Sequence, residues 1–311
     1  MKKILIFITL FLLVLTVSSQ IISDDFPLIK DKLKLVIIGK DSLIFNKSGI
    51  ERIKRFNKNG FPTIEEKYYY NSFNKLTKIE KSYSYGKGSK YIIEYFYDKN
   101  DSIIKRIEKE NDFELNFIFQ RNEKGLLLNE KQIFYDTIRT TINYKYNEKK
   151  LPIEINRYDY FGNLMYTIIK QYKNGLLISE YKKEKKDSLE WLNYYYEFTY
   201  KNGNLIEVKD FYDSSPNDTT YRLISYKYDT NSNLIYSKKE PIGSIRGIII
   251  TTKWDLNGNI IYYQRKNKQS DKNKTYSYKY KFDNKGNWIE KETILNSKQI
   301  KIEKRIIKYY E

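Results

Sequence analysis

Residues 276–287, YSYKYKFDNKGN, contain a strand and the turn that ends it. Four aromatic residues, Tyr276, Tyr278, Tyr280 and Phe282, alternate with polar residues, so they lie on one face of an extended strand. The following DNKGN supplies the turn. An Asp at the start of a turn can accept hydrogen bonds from the backbone two residues on, and Gly or Asn tolerates the positive φ that tight hairpins need. The segment therefore predicts a β-hairpin.

The same aromatic-plus-turn pattern recurs along the chain, and from Tyr70 onward successive copies begin 24 to 28 residues apart. The copies are FNKNGF (56–61), YNSFNKL (70–76), YDKNDSI (97–103), RNEKGLL (121–127), YNEKKLP (146–152), YKNGLL (172–177), YKNGNLI (200–206), YDTNSNLI (228–235), WDLNGNII (254–261) and FDNKGNWI (282–289). A further copy, YDYFGNLM (158–165), falls midway between two others. A fixed period of this kind is typical of repeat architectures, in which each unit packs mainly on its neighbours.

The sequence thus predicts an all-β protein of tandem antiparallel β-hairpin repeats, with a period of about 26–28 residues. Each period holds two strands, the turn at the aromatic anchor, and a second, variable loop such as 213–220. Roughly twenty strands cannot form one flat sheet, so we expect a wound or curved elongated sheet. The residues predicted to build the turns are Asp159, Gly162, Asn163, Gly203, Asn204, Asp229, Asn233, Asp255, Gly258, Asn259, Asp283, Gly286 and Asn287.

The copies at 158–163, 228–233, 254–259 and 282–287 resemble the YD repeats of RHS-type proteins, which combine a Tyr-Asp pair, a turn glycine and a following asparagine. The resemblance extends more loosely over residues 50–300. It implies a hairpin-based sheet that wraps spirally, on exported or surface proteins of bacteria. We expect no toxin-delivery role, because the chain has no non-repeat C-terminal segment to be wrapped.

The N-terminal residues 1–19 predict a signal peptide, because two lysines precede an apolar run from Ile4 to Val17 that is followed by Ser18 and Ser19. A run of this length is shorter than the roughly 20 residues that a membrane-spanning helix needs. We therefore expect export to the periplasm, the cell surface or the medium, with no transmembrane span after the signal peptide. Residues 20–45 are interpreted as a lead-in with capping strands and 46–311 as the repeat domain.

The composition restricts the chemistry available to the protein. The chain has no Cys and no His, which removes the commonest nucleophile–base pairs and His-rich metal sites. Its formal net charge is +18. This charge is compatible with an anionic polysaccharide as partner, but A+T-rich codon usage explains it as well, since alanine is absent and lysine, isoleucine, asparagine and tyrosine are abundant. Export argues against intracellular nucleic acid.

Two weaker patterns concern specific sites. Glu65 with Glu66, or Glu290 with Glu292, are the carboxylate pairs that glycoside chemistry would need, although they also fit ordinary strand positions. The DxNxN runs at 229–233 and 255–259 have the ligand spacing that begins many calcium loops, although turn formation alone explains them.

The functional prediction is a non-catalytic scaffold that binds a polysaccharide or a surface protein, with a glycan-acting enzyme as the alternative. Tyrosines beside lysines could stack on sugar rings, whereas strict alternation also fits tyrosines that form the core of a thin sheet. No cofactor or metal is expected.

Overall fold

The computed structural model describes residues 33–38, 41–46, 49–56, 62–84, 89–186, 189–212, 220–244, 246–270 and 273–309. These residues form 22 β-strands, and they contain no helix. The predicted fold class, all-β with tandem antiparallel hairpins in a curved sheet, is confirmed. The predicted signal peptide, residues 1–19, lies outside the described residues, as does the segment 20–32. No helix among the described residues is both long and apolar enough to cross a membrane.

The strands of the first half of the chain are β1 (Leu33–Ile38), β2 (Asp41–Asn46), β3 (Gly49–Phe56), β4 (Pro62–Tyr70), β5 (Leu76–Tyr83), β6 (Lys90–Tyr97), β7 (Ile103–Glu110), β8 (Phe113–Arg121), β9 (Leu127–Phe134), β10 (Thr137–Tyr146) and β11 (Pro152–Tyr158). Those of the second half are β12 (Leu164–Lys173), β13 (Leu176–Lys186), β14 (Leu189–Lys201), β15 (Asn204–Tyr212), β16 (Tyr221–Tyr228), β17 (Leu234–Ile242), β18 (Ile248–Trp254), β19 (Ile260–Asn267), β20 (Lys274–Phe282), β21 (Trp288–Leu295) and β22 (Lys298–Tyr309).

The sheet is a meander in which every strand pairs antiparallel with the strand before it and the strand after it. In addition, β1 pairs antiparallel with β22, with Val36 opposite Ile307 and Ile38 opposite Arg305. The first and last strands are therefore neighbours, and each has a hydrogen-bonded partner on both sides. Unpaired edge strands invite pairing with other chains, and this arrangement removes them from the two ends of the meander.

One face of the sheet, called here the tyrosine face, carries the alternating aromatic residues. Cross-strand partners point to the same face, so its course can be followed from strand to strand. In the first repeats it runs from Leu43 through Ile53 to Glu66. These three residues are buried, and Leu43 and Ile53 form the principal core cluster with Phe45, against which Ile307 of β22 packs. This cluster therefore lies where the first and last described strands pair, while the other buried hydrophobic residues are distributed along the sheet.

The turns lie alternately at the two ends of the strands, because the chain reverses direction at each one. The turns that follow even-numbered strands share one end, called here the anchor end. The turns that follow odd-numbered strands share the opposite end. Nine of the aligned turn copies, from 70–76 to 282–289, follow β4, β6, β8, β10, β12, β14, β16, β18 and β20, so they share the anchor end.

Candidate functional site

The turns at the anchor end are built around an Asp or Asn side chain. In the 283–287 turn the backbone N–H of Asp283 donates to the carbonyl oxygen of Asn287 at 2.9 Å. Oδ1 of Asp283 accepts the N–H groups of Lys285 at 3.0 Å and of Asn287 at 2.9 Å. Gly286 has a φ of 78°, which suits glycine because it has no Cβ. One side chain therefore satisfies two backbone donors that the reversal of the chain leaves unpaired.

This geometry recurs at positions with different side chains. Asp229 and Asp255 each accept two backbone N–H groups in the same way, with Asn233 and Asn259 as the second donors. Counted from the Asp or Asn that begins the turn, the fourth residue has a positive φ in every described turn of this type. It is glycine at 125, 162, 258 and 286, and Asn74, Asp101, Lys150 and Ser232 in the other four turns. The fourth position therefore requires a positive φ, and only some copies fill it with glycine.

Gly203 and Asn204 belong to a different type of turn. Asn202 and Gly203 both have positive φ, 52° and 79°, and Lys201 pairs directly with Asn204. This is a two-residue hairpin turn, whose twist matches that of the flanking strands. The sequence repeats, aligned on the aromatic residue before each turn, did not distinguish this two-residue turn from the Asp-centred turns, because both contain Asn and Gly. Nδ2 of Asn204 donates to Oγ of Ser232 at 3.1 Å and so links this turn to the next one at the anchor end.

The additional copy at 158–165 lies at the opposite end of the strands. Its turn joins β11 to β12 and has the same internal bonds, with Oδ1 of Asp159 accepting the N–H groups of Phe161 and Asn163. Gly162 has a φ of 85°. Each period contains two strands, so turns at opposite ends of the strands are half a period apart in sequence. This explains why the copy falls midway between its neighbours.

Tyrosine hydroxyl groups connect neighbouring strands at the anchor end. Tyr97 on β6 donates to the carbonyl oxygen of Leu76 on β5 at 2.7 Å, where the ladder between these strands has already ended at Lys78 and Glu94. The same bond joins Tyr70 to Ile50, Tyr146 to Leu127, Tyr172 to Pro152, Tyr228 to Leu205 and Tyr280 to Ile260. Burial raises the pKa of Tyr172 to about 12, so its hydroxyl stays protonated as a donor. We call these contacts tyrosine clasps.

The tyrosine face also holds three glutamates with matching partners. Glu66 accepts the hydroxyl of Tyr68 at 2.5 Å on one oxygen and lies 3.4 Å from Nζ of Lys81 on the other. In the same way, Glu108 accepts the hydroxyl of Tyr91 and forms an ion pair with Arg106. Glu180 accepts the hydroxyl of Tyr194 and forms an ion pair with Lys170. Both oxygens of each carboxylate are thus engaged by one phenol and one cation. Such a group is a structural ion pair, since neither oxygen is left to act as an acid or a base.

The carboxylate pairs considered for glycoside chemistry do not converge. Glu65 and Glu66 are adjacent in β4 and so point to opposite faces of the sheet. Glu290 and Glu292 share a face, but Glu290 lies 2.6 Å from Nζ of Lys281 and Glu292 lies 3.8 Å from Nζ of Lys279. Each of these residues is paired as an ordinary strand residue would be.

The DxNxN runs direct their carboxylates into the turns. In the 229–233 run Oδ1 of Asp229 accepts two backbone N–H groups, and Oδ2 accepts Nδ2 of Asn233 at 2.9 Å. These bonds, led by that of the Asn233 side chain, hold the pKa of Asp229 below its usual range. Within the part of the chain that the structure describes, no three acidic side chains come together as a cation would require. The geometry is that of a turn.

A row of alternating basic and aromatic side chains crosses four strands on the face opposite the tyrosine face. Lys227 pairs with Tyr236, Tyr236 with Lys253, and Lys253 with Tyr262, on β16, β17, β18 and β19. Nζ of Lys227 lies 5.3 Å from the centroid of the Tyr236 ring, and Nζ of Lys253 lies 5.1 Å from that of Tyr262. We call these four residues the Lys–Tyr row. Tyrosine next to lysine, interpreted from the sequence as a general property of the surface, did not predict this row. The signal was present, because Lys227 and Tyr236, like Lys253 and Tyr262, are nine residues apart in the sequence.

A shallow groove at the anchor end lies between the 147–151 turn and the 174–175 turn. Its lining includes Asn147, Leu151, Tyr172 and a single carboxylate, that of Glu148. One exposed carboxylate without a second across the groove does not provide the pair that glycoside hydrolysis needs.

No protein-family model matches this sequence, and no curated protein matches it. Among solved structures, the chain is similar to one in the crystal structure of TcdB2-TccC3-Cdc42, with 10% identity and a TM-score of 0.35 over 82% of this chain and 17% of that one. It is also similar to a porin-like protein from Bacteroides uniformis, with 11% identity and a TM-score of 0.30 over 89% of this chain and 96% of that one. The chain spans only 16% to 17% of the two first TcdB2-TccC3 chains. Likenesses at this level assign neither a family nor a function.

Proposed function

We propose that this protein is a non-catalytic exported scaffold of RHS-type repeats whose surface binds a cell-envelope or extracellular polysaccharide. The observation that carries the proposal is the recurrence of the same contacts from repeat to repeat. The tyrosine clasp occurs in six hairpins of the described chain, and the Asp- or Asn-centred turn recurs along the anchor end. A surface built from equivalent units suits a polymer whose own units repeat.

The alternative, an enzyme acting on glycans, needs two carboxyl groups that face each other across a cleft. The three glutamates described on the tyrosine face are each engaged by a phenol and a cation, and Glu65 and Glu66 lie on opposite faces. These observations favour the scaffold.

Export is the part of the proposal that rests on the N-terminal segment alone. Export is tested by fractionating bacteria that express the full chain with a C-terminal tag. The expected result is a mature protein outside the cytoplasm, cut near Ser19. A chain that keeps residues 1–19 and stays in the cytoplasm would overturn this part.

Binding is tested by retention of the purified protein on isolated cell envelopes and on immobilised polysaccharides at two salt concentrations. Attraction through charge alone should weaken steeply, because the screening length shortens from about 30 Å at 0.01 M salt to about 8 Å at 0.15 M. Contacts through aromatic rings should persist. We expect retention at 0.15 M salt, and its complete absence would defeat the proposal. If protease treatment of the envelope abolishes retention, the partner is a protein and not a polysaccharide.

A further inference from the structure

The Lys–Tyr row places two lysines, neither of them in an ion pair among the described residues, beside two aromatic rings. Both Lys227 and Lys253 are exposed. This face also carries two carboxylates near the row: that of Glu240 on β17, which forms an ion pair with Lys238 at 2.8 Å, and that of Glu207 on β15, the strand next to that of Lys227. Neither carboxylate forms an ion pair with the row in the described part of the chain, so both lysines remain available to an anionic ligand.

The spacing of the row is set by the sheet itself. Its four residues are directly opposite one another on consecutive strands, and strands lie about 4.8 Å apart, so the row spans about 14 Å across the strands. Lysine and tyrosine alternate along this line. The hydrogen-bonded ladder fixes the Cβ positions, and both lysine side chains are exposed.

We propose that the Lys–Tyr row is a binding site for an acidic polysaccharide, a chain of sugars that carry carboxylate groups. The inference rests on the proposed function and names the surface and the ligand class. A sugar ring lies against a tyrosine ring through its apolar C–H face, and the neighbouring carboxylate accepts a charge-assisted hydrogen bond from a lysine. Because both lysines are exposed, each gains little from its contact with a half-buried ring, so a carboxylate draws the lysine away and uncovers the ring.

The test measures binding of the full chain to polygalacturonate, an acidic polysaccharide, and to dextran, a neutral one, by calorimetry at 0.15 M salt. We expect polygalacturonate to bind the parent protein more tightly than dextran does. The variant Tyr236→Ser/Tyr262→Ser removes the rings, and Lys227→Gln/Lys253→Gln removes the cations. Each should weaken binding of polygalacturonate by about tenfold or more, as the loss of two cation or ring contacts implies.

A matched control removes the same charge from the same face without touching an aromatic ring. Lys279→Gln/Lys281→Gln serves this purpose, because these lysines are opposite Glu292 and Glu290 on the neighbouring strand. We expect less than a twofold change in binding for this control. The circular dichroism spectrum and melting temperature of each variant show that it is folded, and the lysine variant carries the test if the serine variant does not fold.

The outcomes separate the inference from the proposed function. If polygalacturonate binds but the row variants bind it as the parent does, or if the control loses as much affinity as they do, the row is not the site. Tighter binding to vesicles of anionic phospholipid than to polygalacturonate would also overturn the inference. If the parent protein binds no polysaccharide at all, the proposed function fails with it.

Discussion

The hydroxyl of Tyr280 donates a 2.8 Å hydrogen bond to the carbonyl oxygen of Ile260, two residues beyond the end of the ladder that joins β19 to β20. A phenol thus replaces a missing backbone donor. The aligned anchor of this repeat is Phe282, which has no hydroxyl, and Tyr280 makes the clasp in its place.

We expect Tyr280→Phe to lower the free energy of unfolding by about 0.5 to 1.5 kcal/mol, the usual net contribution of one such hydrogen bond. Urea denaturation followed by circular dichroism measures the change. The control is Tyr262→Phe, on the opposite face, whose hydroxyl has no hydrogen-bond partner in the described part of the chain. Equal losses in the two variants would show that the clasp contributes nothing specific.

Gly258→Val and Gly286→Val should each destabilise the protein. Their φ values are 80° and 78°, and a β-branched side chain is strongly disfavoured there, at a cost on the order of 1 to 3 kcal/mol. Differential scanning calorimetry compares each variant with the parent. Unchanged melting temperatures would mean that these turns do not have the described backbone.

Lys150→Gly should have the opposite effect. Lys150 occupies the equivalent turn position with a φ of 61°, and a non-glycine residue there costs roughly 1 to 2 kcal/mol relative to glycine. Part of this gain is lost because glycine also makes the unfolded chain more flexible. We expect a small increase in the free energy of unfolding, measured by urea titration, and a decrease would contradict the equivalence of the turns.

Replacing either of two glutamates by glutamine should change the free energy of unfolding at pH 7, but in opposite directions. Burial raises the pKa of Glu130 above its usual value of 4.5, against the opposing effect of Arg106 and Arg157. A group of this kind favours folding only while it is protonated, below the unfolded pKa, and loses that contribution as the pH rises through the folded pKa. Glu130→Gln should therefore raise the free energy of unfolding at pH 7 and change it little at pH 3.

Glu154 is the matched comparison. Hydrogen bonds from Lys145 and then Asn156 hold its pKa below the usual value, so its contribution is present above the unfolded pKa and lost as the pH falls through the folded pKa. Glu154→Gln should lower the free energy of unfolding at pH 7 and have no effect in acid. Urea titrations at both pH values would contradict this scheme if the two variants shifted in the same direction.

The sequence by itself determined the repeats, the strand class and most of the turn chemistry. The alternation around Tyr276 and Tyr278 and the DNKGN turn are local patterns, and neighbouring residues alone decide whether a strand reverses there. The same local rules could not separate the two-residue turn at Gly203 from the five-residue turns, because that difference lies in which residues pair across the hairpin.

Only the tertiary structure decided which residues meet between strands. The pairing of β1 with β22 joins residues more than 260 positions apart, as Val36 and Ile307 show, and no local pattern encodes it. The clasp between Tyr280 and Ile260 and the Lys–Tyr row likewise depend on the register of adjacent strands. Register is fixed by burying one face of the whole sheet at once, since a slip of one residue would exchange the two faces.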